Sequence, residues 1–537
     1  MSEVVRCYMK PYIQPFERSL ALAELAAVAG VEPLSIGETN QKSGEYLVRS
    51  NVSAQVLASK LAYWESVTNH QQLLTDQVLR EATVNVARNG VAFEGIEWQV
   101  QLKLQQSIPN RRSLRYGPHG VHEYRGKFFP QLVRALINVS RVSPGGIVAD
   151  PMSGSGTTLV ESVLAGCHGI GLDMNPLSVF MGTTKCAVLA SCPQDLIKAY
   201  RAITSRLGDA NPSHEELSYF TSLPKPDQEY LESWFAPSAL KELDCIAQAI
   251  LKYDAFPVMQ ALMWLSLSNI IREASFQKPT DLRVRKEVKP EEEIHPIADF
   301  LEEFRRTVKT LVSCAYQIRD LKLGSFDLEE ADARELPRVW KSWRSKVDAV
   351  ITSPPYATAL PYLDTDRLSL TYLGLLTRQE QRRRDQLMIG NREITERLRR
   401  EYWRLFGKLR DQLPASATAL IERIDALNAS TEVGFRRRNL PSLLAKYFSD
   451  MKEVLSGIAY ILKPGAPAWI VIGDNHTIAG GERVNIATAQ ILADIAEAVG
   501  LKSGHHLPMD MLVSREIFKK NAVTSETILY LQRPHDS

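Results

Sequence analysis

An α/β fold is expected: a Rossmann-like sheet of mainly parallel strands, broken by helical insertions and preceded by a small α+β unit. Three observations predict it. Gly146-Ile147-Val148-Ala149 reads as a buried strand and runs into the glycine-rich turn Asp150-Pro151-Met152-Ser153-Gly154-Ser155-Gly156-Thr157-Thr158. Val347-Asp348-Ala349-Val350-Ile351 reads as a second buried strand and runs into Thr352-Ser353-Pro354-Pro355-Tyr356. Strand and helix signals alternate around both turns, the pattern of a sheet covered by helices.

The N-terminal unit, 1–105, opens with a strand-like Val4–Tyr8 and a helix Glu17–Ala29 stopped by Gly30. Glu45–Arg49 is strand-like, Ala54–Trp64 helical, and Val91–Phe93 and Trp98–Leu102 are short strands that would finish a small sheet. Ser107–Gly120, with Arg111, Arg112 and Arg115, reads as a basic linker. The segment 106–176 then starts the main sheet: helix Gln131–Val139, the Ile147 strand, helix Leu159–Ala165, and the strand Gly169–Asp173, which ends on an acid. Residues 177–323 are mostly helical and far too long for an ordinary crossover, so they read as an insertion. The sheet resumes in 324–377, an arginine-rich helical insertion fills 378–445, and 446–537 returns to alternating pattern. That last part holds helix Tyr447–Ile461, strand Ala468–Ile472, helix Ala487–Val499 and strand Thr527–Leu531.

With 537 residues, 45% hydrophobic and 23% charged, the chain has the composition of a globular enzyme of several folding units. Its net charge of +2 means that a nucleic-acid face must come from local clustering. The 6 cysteines form neither a CxxC nor a Cys/His ligand set, which points to a reducing cytoplasm and no metal site. The N-terminus has no signal-peptide pattern, and the most apolar window, Ala255–Ile271, is too short and too polar for a membrane span.

Glycines in the first turn let the backbone approach a ligand, and the N–H groups that open the next helix favour a carboxylate. A phosphate-binding P-loop is excluded because no lysine follows Gly156, and the dinucleotide fingerprint lacks its third glycine. Candidate cofactor contacts are Asp150, Pro151, Ser153, Gly154, Ser155, Gly156, Thr157 and Thr158. Asp173 is placed to accept both ribose hydroxyls, and Asp332 to meet an adenine amine. An ordinary αβ turn is the competing reading of the glycine run, and a solvated acid that of each aspartate.

The second turn suits an exocyclic amine. Such a nitrogen is a poor nucleophile because its lone pair is delocalised into the ring. Two acceptors aimed at its N–H groups, from Ser353 and Pro354, favour the pyramidal form, and Pro355 fixes the backbone. Tyr356 offers a ring for stacking on a base taken out of its helix. A rigid surface turn is the competing reading. Carbon-5 cytosine chemistry needs a Pro-Cys thiolate, and here only the reversed Cys192-Pro193 occurs.

Both motifs resemble those of the DNA amino-methyltransferases, the N4-cytosine and N6-adenine enzymes. Asp150–Thr158 corresponds to their cofactor motif and Ser353–Tyr356 to their catalytic motif, whose Ser form is commonest among N4-cytosine enzymes. His122-Glu123-Tyr124-Arg125-Gly126-Lys127-Phe128-Phe129-Pro130 looks like the family's additional cofactor motif, which adds Lys127 and Phe128 as candidates. The resemblance implies a class I, Rossmann-like methyltransferase sheet. It implies S-adenosyl-L-methionine as cofactor, duplex DNA as substrate, N4 of cytosine as first choice, and a restriction–modification setting with a possible partner nuclease. A second resemblance, loose and N-terminal, is to THUMP-linked tRNA guanosine-N2 methyltransferases, through Ala21–Leu25 and Val56–Leu61. Alternatives left open are N6-adenine, an RNA base, and an inactive nucleic-acid-binding fold.

Phosphate contacts are expected from Arg382, Arg383, Arg384, Arg436, Arg437 and Arg438, which cluster after the catalytic turn. Arg111, Arg112, Arg115, Arg283, Arg285 and Lys286 are further candidates. A solvated helix face with internal ion pairs is the competing reading.

Overall fold

The computed structural model describes residues 3–40, 44–88, 90–124, 126, 129–212, 216–278, 286–287, 293–357, 362–429, 433–510 and 525–535. In the N-terminal unit, strands β1 (Glu3–Met9), β2 (Gly37–Asn40), β3 (Glu45–Ser50), β4 (Trp64–Thr68) and β5 (Gln72–Leu74) form an antiparallel sheet in the order β2-β3-β1-β4-β5. Helix Pro15–Ala29 lies with this sheet. Pro15 opens it, Gln14 and Glu17 make a reciprocal cap, and Gly30 closes it at φ 69°.

Two sequence expectations fail in this unit. The helix expected over Ala54–Trp64 stops at Lys60. The buried Glu24 carboxylate accepts the N–H groups of Ala62 (2.8 Å) and Tyr63 (3.3 Å), so those residues leave the helix and feed β4. No strand forms at either Val91–Phe93 or Trp98–Leu102: Val91 and Ala92 lead into a helix, Phe93–Lys103, that takes in the rest. Its apolar residues Ile96 and Val100, with Leu104 beyond, fall at helical spacing and pack into the core of the first insertion.

The main sheet contains β6 (Ile147–Asp150), β7 (His168–Asp173), β8 (Ser325–Glu330), β9 (Ala349–Thr352) and β10 (Pro467–Gly473). A hairpin, β11 (Asn475–Ala479) and β12 (Glu482–Ile486), stands apart from it; β13 (Lys502–Ser503), β14 (Leu507–Asp510) and β15 (Ser525–Gln532) complete the sheet. The order is β13-β15-β10-β9-β6-β7-β8, with β14 also on β15. Strands β8 to β10 run parallel to one another through β7, β6 and β9, and β15 is antiparallel to β10. This is the Rossmann-like methyltransferase arrangement that the sequence predicts.

Between β7 and β8 the described residues are almost wholly helical, ending in the 23-residue helix Pro296–Ile318. Between β9 and β10 lie helices Arg378–Leu387, Glu396–Leu409, Ala415–Ala429 and Phe435–Ile461. Among the described residues no helix is long and apolar enough to cross a membrane.

One apolar cluster runs from Val5 and Trp64 through Leu20 and Leu25 to Leu132 and Leu136, and on to Val148, Ile351, Val471 and Ile528. The N-terminal unit is therefore packed onto helix Pro130–Val139, which itself covers the main sheet. Polar ties reinforce this. Lys10 Nζ sits 2.7 Å from Glu81 Oε1, both side chains no more than 2% exposed, and Gln131 Nε2 donates to the same oxygen at 3.0 Å. Removing one member of a buried pair strands the other. Glu81→Ala should lower the free energy of unfolding by about 3–5 kcal/mol in a urea titration. Breaking the exposed Arg201–Glu94 pair with Glu94→Ala should shift the curve far less.

Candidate active site

Parallel pairing of β6 with β9 places both turns at one end of the sheet. Val148 lies opposite Ala349 and Ala149 opposite Val350, so the glycine turn and the Ser-Pro-Pro-Tyr turn leave neighbouring strands side by side. Between them is a cavity of about 330 Å³. Its walls include Pro151, Ser153, Gly154, Ser155, Thr157 and Asp173 from the cofactor side, and Ser353, Pro354, Pro355 and Tyr356 from the other.

Local chemistry explains the glycine turn. Gly154 and Gly156 hold φ 49° and 77°, a region that disfavours side chains. A Cβ on Gly154 would sit 3.0 Å from the Tyr124 ring, and one on Gly156 would sit 2.8 Å from Gly182 Cα. The turn is thus pressed against a cavity wall on one side and against helix Pro176–Ala187 on the other. Asp173 splints it: one carboxylate oxygen accepts Gly154 N–H and the other Asn175 N–H, both at 2.8 Å. Burial pushes the Asp173 carboxyl up to about 6, against the pull of those amides.

Three cofactor-side candidates lie behind the wall. Asp150 is fully buried, accepts Met152 N–H at 3.1 Å, and is pushed up to about 6 by burial, with the Thr352 and Thr158 hydroxyls offsetting part of that. Thr158 Oγ1 donates to Ile351 O at 3.2 Å, tying the first turn to the second strand. Gly156 is the hinge against Gly182. Asp332 is also outside the wall. Its carboxylate is engaged by Arg334 (2.5 Å), which bridges to Asp450 (3.0 Å); against the opposing effect of burial, the Arg334 guanidinium holds it below the usual range, and its neighbours Ala331 and Ala333 are the residues that face the cavity. Lys127 and Phe128 lie outside the described residues, but Tyr124, Gly126 and Phe129 of the same stretch line the cavity.

Ser353 Oγ–H donates to Val471 O on β10 at 3.0 Å. Its hydroxyl proton is therefore committed, and its lone pairs remain for accepting. Pro354 and Pro355 carry no N–H, so the turn presents acceptors without competing donors. The Tyr356 hydroxyl donates to Glu526 on β15, a half-buried carboxyl that burial raises above its ordinary range. Glu526 escaped the sequence reading because an acid at the start of an apolar strand looks the same whether solvated or buried. So did Met509, Met388 and Ile389, apolar wall residues from β14 and the second insertion. The insertion touches the turn at Gly390, φ 78°, where a Cβ would lie 2.9 Å from Tyr356 O and 3.0 Å from Pro355 Cβ.

The arginines divide. Arg384 is tied to Glu330 and donates to Met174 O at 2.8 Å, so it clamps the insertion to the β7 and β8 ends. Arg436 pairs with Glu393 at 2.7 Å. Arg382, Arg383, Arg437 and Arg438 are exposed, with no carboxylate partner among the described residues. Arg283 and Arg285 lie outside the described residues.

Residues 121–192 match the family model described as RMKL-like, methyltransferase domain. Over 419 residues the chain is 25% identical to the type II methyltransferase M.BsoBI of Geobacillus stearothermophilus, covering 72% of this chain and 78% of that protein. It is 22% identical over 320 residues to the type II methyltransferase M.MjaII of Methanocaldococcus jannaschii, covering 45% and 60%. A 50-residue stretch is 44% identical to the tRNA (guanine(10)-N2)-dimethyltransferase of the same organism, covering 9% and 14%.

Two outcomes are expected at the cofactor side. Gly154→Ala should weaken binding of S-adenosylmethionine in calorimetry, since the added methyl meets the Tyr124 ring. Asp173 accepts hydrogen bonds from a ligand best when ionised, so affinity should fall as pH is lowered through about 6, and Asp173→Asn should remove that step. The ligand-free stability has the opposite sign. With a carboxyl raised from 3.8 to about 6, the contribution is complete below about 3.8 and is lost as pH rises through about 6.

Proposed function

We propose that this chain, which resembles the DNA amino-methyltransferases in both motifs and has their Rossmann-like sheet, methylates an exocyclic base nitrogen of duplex DNA, with N4 of cytosine the favoured target. One observation carries the reading: a glycine turn fit for a cofactor and a turn of bare acceptors line the same cavity. The type II methyltransferases among its relatives support DNA as substrate and a restriction–modification setting.

The residues fit S-adenosylmethionine. Gly154 lines the cavity with its backbone against the Tyr124 ring, the N-terminus of helix Thr157–Leu164 favours an anionic carboxylate, and Asp173 retains acceptor capacity. When bound, that cofactor supplies an electrophilic methyl group. The chain supplies positioning. Ser353 Oγ and the Pro354 carbonyl accept the two N–H groups of the target amine and turn its lone pair out of the ring plane. Tyr356, anchored through its hydroxyl to Glu526, offers its ring to the flipped base. Met152, Met388, Ile389 and Met509 exclude water from the methyl path. The amine proton departs after transfer, so no covalent nucleophile is needed, and most of the rate comes from orientation.

A second reading, an RNA base, is favoured only by the short tRNA-methyltransferase match. Methyl-labelled cofactor offered with duplex DNA or with tRNA separates the two. Label is expected in DNA, and digestion to nucleosides should yield N4-methylcytosine; N6-methyladenine would move the assignment to adenine, and label in tRNA alone would reject DNA. Ser353→Ala should lower kcat by about 10²-fold or more. Tyr356→Ala should weaken base engagement by about 1–3 kcal/mol, read as a rise in KM for DNA.

A further inference from the structure

The linker after the N-terminal unit forms one side of a groove of about 920 Å³ between helix Asp76–Arg88 and residues 108–115. Four arginines line it, Arg88, Arg111, Arg112 and Arg115, and no carboxylate does among the described lining residues. The positive surface continues. Arg88 and Arg115 also border a second cleft, of about 270 Å³, with Arg305, Arg306 and Lys309 of helix Pro296–Ile318, against one acid, Glu302. Some of these charges are answered: Arg112 by Glu17, Arg115 by Glu123, Arg305 by Glu302 and Arg306 by Glu303. Arg88 and Arg111 are exposed and have no carboxylate partner among the described residues, whereas Lys309 is nearly buried and is influenced by Glu302. A chain of net charge +2 has gathered uncompensated cations on one face.

The groove also abuts the active cavity. The Arg112 guanidinium lies 4.8 Å from the centre of the Phe129 ring, and Phe129 is a cavity wall. The geometry points to a second backbone-binding face: Arg88 and Arg111 contact phosphates of duplex DNA flanking the target base, on the N-terminal side of the cavity and separate from the arginines of the second insertion. This rests on the reading of duplex DNA as substrate and adds the role of the N-terminal unit to it. Such contacts hold the duplex in register without reading sequence.

Salt dependence tests it, because each phosphate neutralised adds about one to the slope of log binding constant against log salt. The intact protein with S-adenosylmethionine is titrated with a long and a short duplex at several salt concentrations. The variant is Arg88→Ala with Arg111→Ala, exposed residues whose loss leaves no carboxylate unpaired. The double variant should lose about two from the slope on the long duplex, and cofactor affinity should be unchanged. The short duplex, confined to the cavity, should show no change in slope. An unchanged slope on the long duplex would overturn the proposal while leaving the catalytic reading intact. Failure of the unaltered protein to bind either duplex would overturn the catalytic reading itself. Arginine-dependent binding of duplex RNA with none of DNA would overturn the proposal as stated.

Discussion

The hydrogen-bonded ladder between β6 and β9 is the constraint from which the site follows. It joins residues 201 positions apart in sequence, Val148 with Ala349 and Ala149 with Val350, and sets them side by side in space. Asp348 reinforces it at the base: one carboxylate oxygen accepts Ile147 N–H at 2.8 Å, and the other meets Lys463 at 2.5 Å, at the foot of β10. Thr158 reinforces it at the top by bonding to Ile351 O. Because every parallel strand ends at the same edge, both turns emerge together, the usual place for a ligand in an open α/β sheet. Neither turn could be moved without breaking ties to the other.

The polar interior behind the cofactor helix shows how stiffly that edge is held. Glu161, on helix Thr157–Leu164, accepts from the Tyr116 hydroxyl at 2.7 Å and pairs with His119 Nε2 at 2.8 Å, all three wholly or almost wholly buried. His119 is the main influence opposing desolvation and keeps the carboxyl below its ordinary range. Burying such a group is expensive unless its partners are exact in place. The helix that opens at the glycine turn is thereby fastened to the stretch that leads toward Tyr124, a wall of the cavity.

What the sequence reveals and what it hides divide along the reach of the interactions. The two turns were legible because each is local: an apolar strand, then glycines or prolines whose backbone chemistry is set by neighbours in the chain. Asp173 was legible for the same reason. Glu526, Met509 and Ile389 were not, since only strand order brings them to the turn. Asp332 shows the converse. Its position before the catalytic strand suggested a ligand contact, yet Arg334, two residues on, engages the carboxylate. The strands expected at Val91 and Trp98 give way to a helix because Ile96, Val100 and Leu104 follow a helical period, and the helix expected from Ala54 ends early because the distant Glu24 captures the amides of Ala62 and Tyr63.

The apolar cluster shared by the first and last strands has a consequence for biosynthesis. Val5 belongs to the same core as Val471 and Ile528, so the N-terminal sheet leaves the ribosome well before the last strands of that core exist. At 5–20 residues per second that interval is roughly 25–100 s. For the first part of it, until helix Pro130–Val139 emerges, the apolar face of helix Pro15–Ala29 that packs there stays wet and open to the wrong neighbour. Folding yield in a cell is therefore expected to rise with chaperone supply and to fall with growth temperature.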